Sequence, residues 1–134
     1  MKFDFIPYNL NTNFEELKDN LLCKDSDEID CYLVRELPVK VICEIPINKI
    51  TLYFFKGKLI TSYIQLNERN SNQEKVIRLL ERYLKRKTMV WEEDNGFLYN
   101  WETKTEFLGL LSGNDKGGFL YLYHTIKEYN IFNE

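Results

Sequence analysis

One segment of this sequence repeats its apolar residues at helical spacing, and β-forming segments precede and follow it. Ser71 stands three residues before Glu74, which is the spacing of a helix-initiating capping box. The residues that form one apolar helix face after it are Val76, Ile77, Leu79, Leu80, Tyr83 and Leu84. A helix with a single apolar face is stable when that face is buried. The pattern therefore predicts a long amphipathic helix packed against a β-sheet.

The segment before this helix is typical of a β-hairpin that turns at Lys56-Gly57. If Gly57 takes the left-handed position of a bulge after a type I turn, Phe54 pairs with Lys58. This register places one mostly apolar set of residues on the buried face: Ile50, Leu52, Phe54, Ile60, Ile64 and Leu66. The same register predicts that Leu59 lies on the opposite, partly exposed face.

The segment after the helix contains four β-rich runs in close succession, at 88–92, 97–101, 106–111 and 119–125. Asn95-Gly96 between the first two is a strong hairpin signal, so the runs predict a β-meander. Near the start of the chain, Thr12 and Glu15 have capping-box spacing and predict a short helix that ends near Leu22. We therefore expect a single α+β domain over residues 1–134: an antiparallel β-sheet, made of the hairpin and the C-terminal meander, packed against both helices.

Composition restricts the classes of partner and the cellular location. The formal net charge of −3 argues against binding of nucleic acid through a broad basic surface. Three cysteines without CxxC spacing are typical of free thiols in a reducing compartment, and no apolar run approaches the length of a membrane span. We therefore expect a cytoplasmic protein that does not enter a membrane.

Residues that could carry catalysis or bind a metal are few. His124 is the only histidine, which excludes a centre built from several histidines. Cys31 and Cys43 lie in strand-like apolar contexts, where burial disfavours the reactive thiolate. The acidic stretch at 25–30 offers oxygen atoms for a cation, but Ile29 stands where an EF-hand loop would supply a ligand. We predict no catalytic residue, no metal site and no cofactor.

Aromatic residues make up 15% of the chain, and many fall on the predicted strands. Tyrosine and tryptophan often anchor protein interfaces, because each buries a large area while keeping a polar group. The residues that we predict to form a binding surface are Tyr53, Tyr63, Trp91, Tyr99, Trp101, Tyr121, Tyr123 and His124. The sequence thus favours a non-enzymatic module, of the adaptor, inhibitor or immunity type, that binds another protein or a second copy of itself through an aromatic sheet face or a strand edge.

Two alternatives from other classes remain open at this stage. One is a small-molecule-binding domain or small enzyme with a pocket near His124. The other is single-stranded nucleic-acid binding along the basic face of the second helix, formed by Lys75, Arg78, Arg82 and Lys85. A deep cavity that contains His124 and a nearby carboxylate would favour the first of these alternatives.

Overall fold

An antiparallel β-sheet dominates the structure, a computed structural model that describes residues 3–23, 30–67, 70–84, 89–93, 96–113 and 120–129. For residues 23, 70–73, 83, 89–93 and 96–98 it describes the backbone alone. The strands are β1 (Leu21–Cys23), β2 (Asp30–Val34), β3 (Val41–Ile42), β4 (Ile45–Phe55), β5 (Lys58–Leu66), β6 (Met89–Glu93), β7 (Gly96–Glu102), β8 (Glu106–Gly113) and β9 (Leu120–Ile126). The helices are α1 (Phe14–Leu17) and α2 (Asn70–Leu84), with 3₁₀ turns at Lys18–Asn20 and Lys127–Tyr129.

Strand order in the described part of the sheet is β1-β2-β4-β5-β9-β8-β7-β6, and β3 pairs with the start of β4. All of these pairs are antiparallel. The prediction of an α+β fold built on an antiparallel sheet is confirmed. The four C-terminal strands, β6 to β9, lie side by side in chain order. Strand β9 also pairs with β5 of the β4–β5 hairpin, which places β9 near the middle of the sheet.

The N-terminal helix is shorter than the sequence suggests and begins one residue later. Asn13, rather than Thr12, occupies the N-cap position, and its amide donates to the Glu16 carboxylate at 3.3 Å. The helix lasts four residues, and Leu21 is already in a strand that pairs with Val34. The apolar spacing that predicted a longer helix instead places side chains of α1 and β1 against the same core.

The β4–β5 hairpin corrects the predicted register. Lys56 and Gly57 both have positive φ, so they form a two-residue turn in which Phe55 pairs with Lys58. The bulge lies beyond the turn at Ile60, because Phe54 pairs with Leu59 whereas Tyr53 pairs with Thr61. Leu59 is therefore buried on the core face, contrary to the prediction.

A second turn was not foreseen. Residues 39–45 are rich in β-forming residues and predict either a short strand or the second half of a strand bent at Pro38, but Cys43 and Glu44 both have positive φ and reverse the chain between Ile42 and Ile45, which pair with each other. Neither residue type is a usual turn former, so the sequence gives no turn signal here. Strand β4 consequently begins at Ile45, five residues before Ile50, the first residue of the predicted buried face of the hairpin.

The two faces of the sheet differ in what covers them. On the inner face, the buried side chains of β4 and β5 share one core with Val76, Leu80 and Leu84 of α2. On the opposite, outer face, Phe107 and Tyr123 form a separate buried cluster with Tyr63 and Leu111 packed against it. None of the helices in the described ranges is both long and apolar enough to cross a membrane.

Candidate functional site

The only histidine lies on the inner face of the sheet, in the middle of three adjacent strands. His124 on β9 pairs with Ser62 of β5 on one side and with Leu108 of β8 on the other. Its side chain is 4% exposed, and the ring of Phe3 contacts it edge-on with centroids 5.3 Å apart. This strand position fixes the imidazole by packing on several sides.

A carboxylate lies next to this imidazole. His124 Nε2 and Glu106 Oε1 are 2.6 Å apart, and Glu106 is the first residue of β8. The Glu106 side chain is 38% exposed, so it extends from the buried imidazole toward solvent. The pair thus connects the interior of the sheet with its surface.

The turn before β8 holds Glu106 in this position. Thr103 Oγ1 accepts hydrogen bonds from the backbone amides of Glu106 at 2.9 Å and Thr105 at 3.3 Å. The amide of Thr103 donates to the Glu106 carbonyl at 2.9 Å, and the amide of Lys127 donates to the Thr105 carbonyl at 2.8 Å. These bonds fix the turn to the end of β9, and so they fix the direction in which the carboxylate points.

The N-terminal segment forms the opposite wall. The amide of Asn11 donates to the Leu59 carbonyl at 2.7 Å, and the amide of Leu59 donates back to the Thr12 carbonyl at 2.8 Å. Asn11 adopts a φ of 70°, which asparagine tolerates better than most residues. The segment is therefore attached to the start of β5, beside the strand that carries His124.

A cleft of about 500 Å³ lies between these two walls. The residues that line it are Phe3, Asp4, Asn9, Leu10, Asn11, Thr103, Lys104, Thr105, Glu106, His124 and Ile126. A volume of this size is within the range of small-molecule sites, which combine apolar walls with a few convergent polar groups. The cleft therefore has the size and the mixed lining of a ligand site.

Burial makes the neutral imidazole the favoured form. Desolvation lowers the pKa of His124 below its ordinary value of 6.5, and the hydrogen bond and charge of Glu106 oppose this effect only in part. An ionised carboxylate can only accept, so Nε2 carries the proton and donates to Glu106. In the neutral ring Nδ1 is then an acceptor, and this buried atom has no hydrogen-bond partner among the described residues.

Ser62 Oγ is also buried and without a partner within the described part of the chain. Serine, histidine and glutamate on three adjacent strands suggest a nucleophilic triad, but the geometry does not support one. No hydrogen bond joins Ser62 to His124, and Ser62 is absent from the lining of the cleft. A nucleophile must contact its substrate as well as its base. The three side chains therefore do not form a catalytic triad here.

The predicted binding residues divide between the two faces of the sheet. Strand pairing places Trp101 and Tyr99 on the inner face with His124, and Trp101 is buried there. Because side chains alternate along β9, Tyr121 and Tyr123 lie on the outer face. Trp91 is in β6, and its side chain lies outside the described part of the structure. The eight residues therefore do not form one surface.

Four tyrosines of the predicted set, Tyr53, Tyr63, Tyr121 and Tyr123, lie on the outer face. The rings of Tyr63 and Tyr121 lie 4.8 Å apart in a tilted arrangement, and Tyr63 contacts Tyr123 edge-on at 5.8 Å. Burial and the neighbouring Tyr121 raise the pKa of Tyr63 to about 12. Burial and the adjacent Cys31 thiol also raise the pKa of Tyr53. These tyrosines therefore form one aromatic group on the outer face.

Metal and thiol chemistry receive no support from the described residues. Within the described ranges, no three His, Cys, Asp or Glu side chains are close enough together to hold a metal ion. Residues 25–29 of the acidic stretch at 25–30 lie outside these ranges, and Asp30 is the first residue of β2. Cys31 and Cys43 are both free, and burial raises the pKa of Cys43 to about 11, which disfavours its thiolate.

No family model, curated protein or solved structure matches this chain. The cleft must therefore be interpreted from its own chemistry. Sequence reasoning identified His124 but missed Glu106 and the N-terminal wall. The available signal was a single acidic residue at the start of an otherwise apolar strand, which predicts nothing until its cross-strand neighbour is known.

Proposed function

We propose that this protein is a small-molecule-binding domain whose ligand occupies the cleft between the N-terminal segment and the turn before β8. The observation that carries the proposal is the His124–Glu106 pair, which lies in a cleft of about 500 Å³. Sites of this kind position a few polar groups inside an apolar enclosure, and Phe3, Leu10 and Ile126 supply the apolar part.

We propose binding rather than catalysis. The described residues that line the cleft include neither serine nor cysteine, and the buried Ser62 does not contact the cleft. An imidazole with one nitrogen on a carboxylate and the other free can act as a base. A base alone does not define a reaction, so recognition of a ligand is the function that these residues support.

The test uses the single histidine as a reporter, because its imidazole signals in an NMR spectrum need no assignment. We expect at least one compound of a general fragment library to shift the His124 ring signals in a saturable manner. Leu10→Ala removes an apolar wall and is expected to weaken that compound several-fold. The matched control is Leu17→Ala, since Leu17 is also half-buried but does not line the cleft. A library that leaves the His124 signals unchanged would exclude the proposal.

A second candidate function rests on the outer face. The tilted ring pair of Tyr63 and Tyr121 and the half-buried Tyr53 support the proposal of a protein-interaction module. Capture of a partner from extract by wild type but not by a Tyr53→Ala, Tyr63→Ala double variant would support it, and identical capture by both would contradict it. The free thiols of Cys31 and Cys43 support a reducing, cytoplasmic location for either function.

A further inference from the structure

We infer that the ligand of this cleft is a small organic cation that carries N–H donors, such as an amine or an amidinium. The inference rests on the proposed function and specifies its ligand class. It follows from the hydrogen-bond capacity and the charge of the residues around His124 and Glu106.

The first argument is the acceptor capacity of Glu106. One carboxylate oxygen accepts from His124 Nε2, whereas an ionised carboxylate has room for about four hydrogen bonds. The side chain is part exposed at the cleft, so the remaining acceptor sites are open to a ligand. Hydrogen bonds between an N–H cation and a carboxylate are stronger than those between neutral groups.

The second argument is the state of His124. Its one N–H is donated to Glu106, and its unpartnered Nδ1 is a buried acceptor, so within the described structure the pair presents the open acceptor sites of Glu106 and no free donor. Burial lowers the pKa of His124, which keeps the ring neutral at pH 7 and leaves the negative charge of Glu106 uncompensated. A ligand that brings its own positive charge and its own donors matches this arrangement.

The third argument is the charge of the described lining as a whole. Asp4 and Glu106 are acidic, and Lys104 is the basic residue among them. Lys104 is exposed on the turn, whereas Glu106 adjoins the buried imidazole. Lys127, near the same turn, forms an ion pair with Glu102 at 3.2 Å. The balance of charge close to His124 is therefore negative.

The remaining lining favours an organic cation over a bare metal ion. No cluster of three metal-ligating side chains is present within the described ranges. Phe3, Leu10 and Ile126 provide apolar surface that a hydrated metal ion would not use but a hydrocarbon group would. An aromatic or aliphatic amine can satisfy both parts of the cleft at once.

Four probes of matched shape test the inference: benzamidine, benzylamine, benzyl alcohol and benzoate. The His124 ring signals are followed during titration of each. We expect saturable shifts with the two cations, and an affinity for benzoate at least about tenfold weaker, as the strength of charge-assisted hydrogen bonds indicates. Glu106→Gln keeps an acceptor for His124 Nε2 but loses the negative charge. The affinity for benzamidine should therefore fall by about tenfold or more.

Matched variants separate this local effect from net charge. Glu74→Gln removes the same charge on α2, outside the cleft, and should leave benzamidine binding unchanged. Lys104→Gln removes the opposing charge from an exposed turn and should tighten benzamidine binding about twofold, whereas Lys75→Gln on α2 should have no effect. The lysine variants keep the inference falsifiable even if Glu106→Gln proves unstable.

The outcomes distinguish the two levels of the argument. Benzoate or benzyl alcohol binding as tightly as benzamidine would overturn the cation inference while leaving a ligand-binding cleft. Equal loss of binding in Glu106→Gln and Glu74→Gln would also overturn it. If neither these probes nor the fragment library shifts the His124 signals, the proposed function fails together with the inference.

Discussion

The hydroxyl groups of Thr61 and Thr125 lie 2.7 Å apart, buried between the paired strands β5 and β9. Thr125 also donates to the carbonyl of Ile60 at 3.0 Å. A hydroxyl has one proton, and the Ile60 carbonyl is closer to Thr125 Oγ1 than the Ile126 carbonyl at 3.3 Å, so the favoured arrangement is that Thr61 donates to Thr125 and Thr125 donates to Ile60. Ile60 is the bulge residue of the β4–β5 hairpin, so this short chain of hydrogen bonds connects the bulge to the strand that carries His124.

We expect Thr125→Val to lower the free energy of unfolding by about 1–3 kcal/mol, because it leaves the buried hydroxyl of Thr61 and the Ile60 carbonyl without this partner. Thr61→Val should lower the free energy of unfolding by less, since Thr125 keeps its bond to Ile60. The double variant should lower it by less than the sum of the two single effects, because it removes both hydroxyls together. Urea unfolding of the four proteins measures this coupling.

A matched control is Thr12→Val, which removes an exposed hydroxyl bonded to the Asn9 carbonyl at 2.6 Å. It should be additive with Thr125→Val, because the two residues share no hydrogen-bond partner among those described. If the Thr61 and Thr125 variants are additive with each other as well, the proposed chain of hydrogen bonds does not contribute to stability.

The turn at Cys43-Glu44 predicts a stabilising substitution. Glu44 has a φ of 63°, a conformation in which a side chain costs about 1–2 kcal/mol and glycine does not. We expect Glu44→Gly to raise the free energy of unfolding by about 0.5–1 kcal/mol, after the greater flexibility of glycine in the unfolded chain is subtracted. Glu36→Gly, at an exposed position where φ is not positive, should instead be neutral or destabilising. Equal effects of the two substitutions on the urea midpoint would contradict this explanation.

The outer-face tyrosines predict an alkaline transition. Burial raises the pKa of Tyr63 from 10.0 to about 12, so the folded state resists its ionisation. Since the unfolded chain releases this proton more easily, the free energy of unfolding should fall as pH rises above about 10. Difference absorbance titration of wild type against Tyr63→Phe should show one tyrosine that ionises near pH 12. If the tyrosine that is lost in Tyr63→Phe instead ionises near pH 10, Tyr63 is solvated and not packed against Tyr121.

Much of the sheet could be predicted from the sequence because its strands alternate or are continuously apolar over several residues. The run predicted at 106–111 corresponds to β8 (Glu106–Gly113), and the run at 119–125 corresponds to β9 (Leu120–Ile126). What failed was local: the bulge at Ile60 and the turn at Cys43-Glu44 depend on backbone conformations for which these residue types have no preference. Their neighbours Leu59, Ile42 and Ile45 are buried in the core, and such packing is not visible in a local pattern.

The candidate site could be predicted only in part. His124 stood out as the single histidine, but its partner Glu106 is 18 residues away and adjoins it through the pairing of β8 with β9. The aromatic prediction treated residues on both faces as one group, because alternation within each strand does not reveal how the faces of different strands align. Strand register decides that alignment: it places Tyr63 and Tyr123 together and Trp101 on the other side.

Acid should destabilise the protein through His124. Its pKa is lowered by burial in the folded state but has its ordinary value near 6.5 in the unfolded chain. Below pH 6.5 the unfolded state therefore binds a proton that the folded state excludes. The free energy of unfolding should therefore decrease as the pH decreases. For this single group the slope cannot exceed about 1.4 kcal/mol per pH unit.

His124→Gln, which can still donate to Glu106, tests this prediction. Its free energy of unfolding, measured in urea, should depend less on pH between pH 7 and pH 5 than that of the wild type. The nearby charged groups, Glu106, Asp4 and Lys104, are present in both proteins and their direct contributions largely cancel in this difference. If instead the wild type gains stability relative to His124→Gln as the pH falls, His124 is charged in the folded state, and the neutral imidazole on which the ligand chemistry depends is wrong.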